Sequence, residues 1–510
     1  MNWWDRAVAY FSPQRAVRNL YYRNALRASG GYEGGRDSRL RKTMRDNRGP
    51  NRIVQGGAEA TRSHARHLER NYDFARGTLR VFARNVIGPR GIGVEPMPRR
   101  ADGRVHNEFA DQIQRYHREW SRRPEVTGRM TRAMMERHAL RCGIRDGEIF
   151  SQALRGNVRN LRHHTQVPFS LELLESDFIP FWHDVPGDRI FQGVRLNAWG
   201  QPVVYFAHRD HPTDGFQYGA QALKEVPADR MLHFALRDRI HQVRGITIFA
   251  AVIHRLEDLK DTTDYELAAA KLASALALTI TQQPDELGDN PLSNGQKSEQ
   301  TGRQLMDIEP AMIYRGQEGE QVNVVDTKRP NQALPDWIDF NLRGIAAGTD
   351  GSKSSISRHY TGNFSAQRQE LVETWPAYEV MREEFVSAVT LPCYEDVVRT
   401  GFATGALRVP SDVDPFTIFD ADYRGPAMPW IDPVKEAQGE KIKIRSGLKS
   451  LSQAVRERNG DPWEVIDQRA EELAYARNRG VTLDTDPAAV SGSGVEQSSA
   501  PESNDPENEQ

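Results

Sequence analysis

Cysteine is almost missing from this sequence: Cys142 and Cys393 are the only two among 510 residues. A pair that far apart builds neither a disulfide framework nor a zinc knuckle, and a reducing, intracellular site of synthesis is expected. Long apolar runs are missing as well. No stretch of 18 uncharged apolar residues occurs, so a helical membrane span is not expected. The opening "MNWWDRAVAYFSPQRAVRNL" has no apolar core of secretory length and no small-residue cleavage site. There is no G-x-x-x-x-G-K-[ST], hence no phosphate cradle of that kind. Lysine and arginine disappear from Val481 onward, where the last thirty residues hold seven acids.

What is present is charge. Charged residues make up 27% of the chain against 38% hydrophobic, with a mean hydropathy of −0.67, which describes a protein with much exposed surface. The length predicts two to four structural regions. A net charge of −2 hides an asymmetry: residues 1–100 carry 21 bases, twenty of them arginine, against eight acids, and the remainder carries −15. A basic arm and an acidic tail imply a partner that is anionic or itself charged, although a solubilising surface gives the same pattern.

The patterning predicts an α+β chain. Residues 1–60 read as a basic flexible arm with one short helix over 3–27. Apolar positions recur at helical spacing from Ala58 to Ile87 and stop at "GPRGIGVEP"; a second helix covers about 104–122 and a third about 129–143. Then "GEIFSQAL", "FSLELLESDFI", "RIFQGVRLN", "QPVVYFAHR" and "MLHFAL" alternate as strands of an antiparallel or mixed sheet. A helix from Ile246 to Thr281 is expected, about 54 Å long at ~1.5 Å per residue, its second half rich in Ala and Leu. Residues 282–332 are polar, with a strand at "QVNVVDT". A helix over 334–347 follows, then "SRHYTGNFSAQRQ", then a long helix from Ala366 to Val398 interrupted at Pro376 and Pro392. Small strands are expected within 407–424 and two helices within 432–480, and the tail from Pro487 reads as disordered.

Catalytic chemistry is hard to assemble from these residues. "GPRGIG" follows a helix rather than a strand and reads as a turn, not a nucleotide loop. His163 and His164 lack partners at zinc spacing. Glu172, Glu175 and Asp177 offer carboxylates for a divalent ion, but strand alternation sends Glu172 and Glu175 to opposite faces. His233 and His241 have no partnering acid nearby, and the sequon at Asn363 has no secretory context. Neither an enzyme nor a cofactor nor a metal is expected.

Four segments in order resemble the lambda-type family of bacteriophage portal proteins. "ERNYDFARGTLRVFARNVIGPRGIGVEP" resembles its early arginine–asparagine helix and glycine turn. "MLHFALRDRIHQVRGITIFAAVIHRLEDLKDTTDYELAAAKLAS" resembles its His-containing strand, its R-x-x-Q-x-R-G turn and its long helix. The turn here is Arg239, Gln242, Arg244 and Gly245. "IAAGTDGSKSSISRHYTGNFSAQRQELVETW" resembles its Ser-rich segment, with Phe364 in place of a usual Tyr and Ala366–Gln367 in place of Ser–Ala. "WIDPVKEAQGEKIKIRSGLKSLSQAVRERNGDPWEVIDQRAEE" resembles its C-terminal W-x-D-P-x-K-E block.

The resemblance implies a portal fold, a ring of probable twelvefold symmetry around a channel at one capsid vertex, through which DNA is packaged and ejected. It divides the chain into a basic arm (1–60), wing (61–240), stem helix (241–281), clip (282–332) and second stem helix with tunnel loop (333–365). A long wing helix with strands (366–433), a helical crown (434–482) and an acidic disordered tail (483–510) follow. In the tunnel loop Lys353, Arg358, His359, Asn363 and Arg368 become the residues facing DNA, with Gly348, Gly351 and Gly362 allowing sharp turns. The implied partners are further copies of the chain, sequence-independent double-stranded DNA, the terminase large subunit, major capsid or scaffold protein, and head-completion adaptors. The implied location is the virion portal vertex, after synthesis in the host bacterial cytoplasm. Two rival readings are a metal-dependent nuclease and a monomeric DNA-binding adaptor using the basic arm.

Overall fold

In the computed structural model the described residues are 13–14, 17, 46–214, 223–274, 278–282, 320–324, 332–360, 363–429, 432–483 and 485. Most of the expected helix over 3–27, most of the basic arm, most of the 282–332 segment, Gly362 and nearly all of the acidic tail lie outside them. The chain divides into two compact units, Met1–Ile53 and Val54–Gln510, and the second is described below.

The helical opening is two helices, α1 (Pro50–Asn71) and α2 (Asp73–Phe82), broken at Tyr72, whose backbone is extended. A π-helical turn, Ala83–Ile87, closes α2, and Gly88 ends it with a left-handed φ of 77°. The extra residue in such a turn leaves carbonyls unmatched. Arg382 answers two of them, donating to the Val86 oxygen at 2.9 Å and the Asn85 oxygen at 3.0 Å. Strand β1 (Gly93–Pro96) follows, then α3 (Asn107–Ser121) and α4 (Arg132–Asp146). Thr131 caps α4 by accepting from the Met134 amide.

The sheet region bears out the alternation and corrects its organisation. Strands β2 (Glu148–Arg155), β3 (Phe169–Leu174) and β8 (Met231–Ala235) form one antiparallel sheet in the order β3-β2-β8. Strands β4 (Ile190–Phe191), β5 (Val194–Leu196), β6 (Pro202–Ala207) and β7 (Lys224–Pro227) form a second, so there are two sheets where one was expected, with an additional strand at β7. Successive side chains of β2 point to opposite sides. Ile149 and Ala153 enter the main core with Leu79, Trp120, Phe169 and Phe234, while Phe150 enters a second core with Leu174, Val194 and Tyr205. That double burial explains why apolar residues of β2 lie on both of its sides.

The expected helix from Ile246 to Thr281 is shorter. Helix α5 runs from Ile253 to Ser274, preceded by turns, and Leu278–Gln282 is strand β9, paired antiparallel with β10 (Glu320–Val324). Thr279, Ile280 and Thr281 are β-branched and favour the strand. Helices α6 (Leu334–Thr349), α7 (Lys353–Ser357) and α8 (Phe364–Phe385) come next. A π-helical turn, Val386–Thr390, links α8 to α9 (Leu391–Ala403). Pro376 sits within α8 without ending it, and Pro392 opens α9 rather than breaking it. In place of several strands in 407–424 there is one, β11 (Ala421–Arg424), paired with β1. Three helices rather than two finish the chain: α10 (Pro433–Arg445), α11 (Leu451–Arg456) and α12 (Pro462–Asn478). Among the described residues no helix is long and apolar enough to cross a membrane.

Candidate functional site

Helix α4 ends at Gly147, whose φ of 94° turns the chain directly into β2. The segment after β8 doubles back over this corner: Leu236 N–H donates to the Gly147 carbonyl at 2.8 Å and Ile248 N–H to the Ile144 carbonyl at 3.0 Å. The two chains cross so closely that a Cβ on Gly245 would lie 2.0 Å from the Gly147 oxygen, and one on Gly147 would lie 2.4 Å from the Ile246 carbonyl carbon. Gln242 stiffens the turn, its side-chain amide donating to the Arg244 carbonyl at 2.8 Å while its oxygen accepts from Asp238 N–H at 3.2 Å. Arg239 is exposed beside it.

Beneath the crossing lies Arg244, with no solvent exposure. Its guanidinium meets the Glu148 carboxylate at 2.6 Å and donates to the Gln192 carbonyl at 2.5 Å and to the Ser176 carbonyl and hydroxyl at 3.2 Å. It also stands 4.0 Å from the centroid of the Phe181 ring. Glu148 accepts in addition from the Gly245 amide at 3.0 Å and the Ser176 hydroxyl at 2.5 Å, and is 3.1 Å from the His233 Nε2. Burial pushes the Glu148 carboxyl up, but Arg244 and His233 together outweigh it and hold it well below the usual range. Burial pushes His233 down to about 4 against the pull of Glu148, so its imidazole is neutral near pH 7. These groups form a filled knot with every charge matched, a joint rather than a reaction centre.

The neighbouring acids are also matched. Arg66 reaches Asp146 at 2.7 Å, Asp177 at 2.5 Å and Glu175 at 3.3 Å, and Arg62 reaches Asp177 at 3.4 Å. Glu175, Asp177 and His211 bring ligand atoms within 4.8 Å of one another, while Glu172 stands apart, paired with Lys224 at 3.3 Å. The carboxylates that offered a divalent-ion site are thus engaged by bases, Glu175 and Asp177 by arginine and Glu172 by lysine. His163 is fixed between the Ser170 hydroxyl at 2.8 Å and the Gly156 carbonyl at 2.7 Å.

The five residues assigned to a tunnel loop fall into different environments. Asp350, with φ of 52°, ends α6, and Ser352 caps α7. Glu370 of α8 gathers the serines, accepting from the Ser352 hydroxyl at 2.8 Å, the Ser354 amide at 2.9 Å and the Ser354 hydroxyl at 2.5 Å. Lys353 is ion-paired with Asp339, which Arg343 also meets at 2.6 Å. Arg368 lies within α8, 3.6 Å from Glu436. Asn363 is the α8 cap, accepting from the Ala366 amide at 2.9 Å. Arg358, in a left-handed conformation at φ 57°, and His359 face solvent. The stretch "SRHYTGNFSAQRQ" is therefore a loop only in its first half; from Phe364 it is helix.

Comparison with known proteins decides the family. The family described as "Phage portal protein, lambda family" matches residues 36–382, well over half of the chain. The chain belongs to the lambda family of phage portal proteins. It is 26% identical over 461 residues to a probable portal protein of Halomonas phage phiHAP-1, covering 88% of this chain and 87% of that one. It is 24% identical over 336 residues to the portal protein of Escherichia phage N15, covering 61% and 63%. Among solved structures, a chain from the virion of a native gene transfer agent particle is similar at a TM-score of 0.42 and 14% identity, over 79% of this chain and 95% of that chain. A chain from the neck of the native particle, computed with C12 symmetry, gives 0.41 and 13%, over 78% and 95%.

In this portal chain Gln242, Arg244 and Gly245 of the R-x-x-Q-x-R-G turn each have a structural reason, and the exposed Arg239 accepts from the Gln242 amide through its carbonyl at 3.0 Å. Sequence reasoning found Gln242, Arg244 and Gly245 but missed Glu148, Ser176 and Gln192, which complete the knot from three other segments. The one signal available was Gly147–Glu148 at the head of a strand whose other residues are almost all uncharged.

Proposed function

We propose that copies of this portal chain assemble as a ring of twelve around a channel for double-stranded DNA at one capsid vertex. In this reading 61–240 and 366–433 form the wing, 241–281 and 333–365 the stem and tunnel loop, 282–332 the clip and 434–482 the crown. The ring docks terminase, capsid or scaffold protein and head-completion adaptors, and resides in the virion after synthesis in the bacterial cytoplasm. It carries no catalytic site or cofactor of its own.

Family membership supports the reading, and one observation carries it to residues. Arg358 and His359 stand exposed in the link between α7 and α8; before the link Lys353 pairs with Asp339, and Glu370 of α8 accepts from Ser352 and Ser354, tying the helix after the link to the segment before it. A short cationic link between tied helices suits a channel that touches phosphates without gripping them. A fully neutralised phosphate in every copy would make the pore strongly salt-dependent and adhesive. Lys353 and Arg368, paired with carboxylates, are secondary contacts in this proposal, and Asn363 sets the start of α8.

Light scattering and negatively stained micrographs test it. Annular particles many times heavier than 57.8 kDa are expected, and a chain that stays single at high concentration overturns it.

A further inference from the structure

Two surfaces of opposite charge lie on the second unit, one beside the turn on which α8 packs and one on the outer side of α8. The first is a groove of about 680 Å³ between α2 with its π-helical turn and α4. Its floor includes Ala83 and Met134, its rim is Arg80, Arg84, Arg137 and Arg141, and no carboxylate lines it. Among the described residues Arg80 makes no ion pair, and Arg137 donates only to the Gly88 and Pro89 carbonyls, at 3.0 and 2.6 Å, so no carboxylate there compensates its charge. Arg141 meets Glu69 at 3.4 Å. His138, on the same lining, is held below its ordinary range by burial and by the charges of Arg141 and Arg145.

The second surface is the outer face of α8. The helix buries Trp375, Tyr378 and Phe385. At 3.6 residues per turn the opposite side presents Val372, Glu373, Pro376, Glu379, Val380 and Glu383, all exposed, with Glu384 at its edge. Arg368 lies at the N-terminal edge of that side, paired with Glu436 at 3.6 Å, and Glu379 shares a cleft with Arg382, Lys435 and Arg456. Among the described residues Glu379, Glu383 and Glu384 form no ion pair, and Val372 and Val380 are 43% and 61% exposed.

Both surfaces work against the stability of the lone subunit. Arg80 and Arg84, Arg137 and Arg141, and Glu379 and Glu383 are like charges four residues apart, a spacing that brings them together along a helix and weakens it by a few tenths of a kcal/mol per pair. Within one chain no ion pair joins the two faces. Four arginines around an apolar floor match four glutamates around exposed valines in sign, number and character.

We propose that the acidic α8 face of one copy seats in the arginine groove of the next. The contact is head-to-tail, the kind that closes a ring when its rotation closes. The inference rests on the ring reading above and specifies which faces meet.

The test uses full-length chains carrying Arg80→Glu with Arg84→Glu, or Glu379→Arg with Glu383→Arg, followed by light scattering at 0.15 M salt with circular dichroism to verify folding. Each variant alone is expected to assemble at least tenfold less tightly than the parent, since like charges now face each other. An equimolar mixture should recover assembly, because every contact in an alternating ring is again opposite in sign. Should a reversed chain not fold, Glu379→Gln with Glu383→Gln replaces it, with weaker assembly expected. Folded variants that assemble like the parent, or a mixture that stays apart, overturn the docking while leaving the ring intact. A parent chain that never leaves 57.8 kDa overturns both.

Discussion

Arg244 and Glu148 meet at 2.6 Å with neither side chain reaching solvent, although 96 residues separate them. The pair ties the approach to α5 onto the first residue of β2. Its value lies in being complete. Removing one member leaves a buried charge alone, which costs about 3–5 kcal/mol, whereas replacing both with apolar residues of similar size is often close to neutral. Arg244→Met and Glu148→Leu are each expected to lower urea stability by that amount, and the double variant to lose much less than the sum.

The crossing of Gly147 and Gly245 leaves no space for a methyl group. Gly245→Ala and Gly147→Ala each place a Cβ against the other segment's backbone, and Gly147 also has a left-handed φ. Both variants should lose most of their soluble yield, while Gly103→Ala, a left-handed glycine in open space, should cost about 1 kcal/mol. Expression yield and thermal melting check this.

Stability should fall with pH below about 6.5. An unfolded histidine takes its proton near 6.5, but buried His233 does so at about 4, so the unfolded chain binds the extra proton in that window. His233 contributes at most ~1.4 kcal/mol per pH unit to the slope, and buried His117, also held well below its ordinary value, adds to it with the same sign. Glu148, with its carboxyl held below the ordinary range, adds a loss of the same sign below about 4.5. Urea midpoints at pH 7, 6 and 5 measure the effect, and His233→Gln should reduce it.

Lys353 and Arg358 should behave differently despite equal charge. Lys353→Ala removes the partner of Asp339 and is expected to cost about 0.5–1 kcal/mol. Arg358→Gly removes an exposed charge from a left-handed position, so folding and assembly should be kept while DNA packaging yield changes. Unaltered packaging by normally assembled Arg358→Gly particles would count against its contact with DNA.

Both thiols should be inert. Burial pushes Cys142 up to about 11 and Cys393 well above its ordinary value, so neither forms thiolate near neutral pH. Thiol reagents are expected to label the native chain far more slowly than the urea-unfolded one.

What was legible in the sequence was local. The strands from Glu148 to Ala235 showed themselves by alternation, and the helices around them by apolar spacing. The stem-like helix was overextended at both ends for different reasons. Residues 246–252 are held in turns by the knot around Arg244, which no local pattern reveals, and Thr279–Thr281 were absorbed into an Ala- and Leu-rich run despite their branching. Arginines invited a second misreading. Arg62 and Arg66 fall within the basic surplus of residues 1–100, yet each is bound to carboxylates inside the fold, as Arg145 and Arg382 further on are to carboxylates or carbonyls. Their partners lie up to about 300 residues away, beyond the reach of any periodicity.

Strand β1 has β11 as its partner, more than 300 residues later, and Glu95 within β1 is held by Arg424 and Arg456 from that same late stretch. A polypeptide leaving the ribosome from its N-terminus exposes this strand edge and this carboxylate until residues 421–456 have been made. The clasp thus imposes an order on folding: the seam along β1 stays open while the more than 300 residues between its two halves are synthesised.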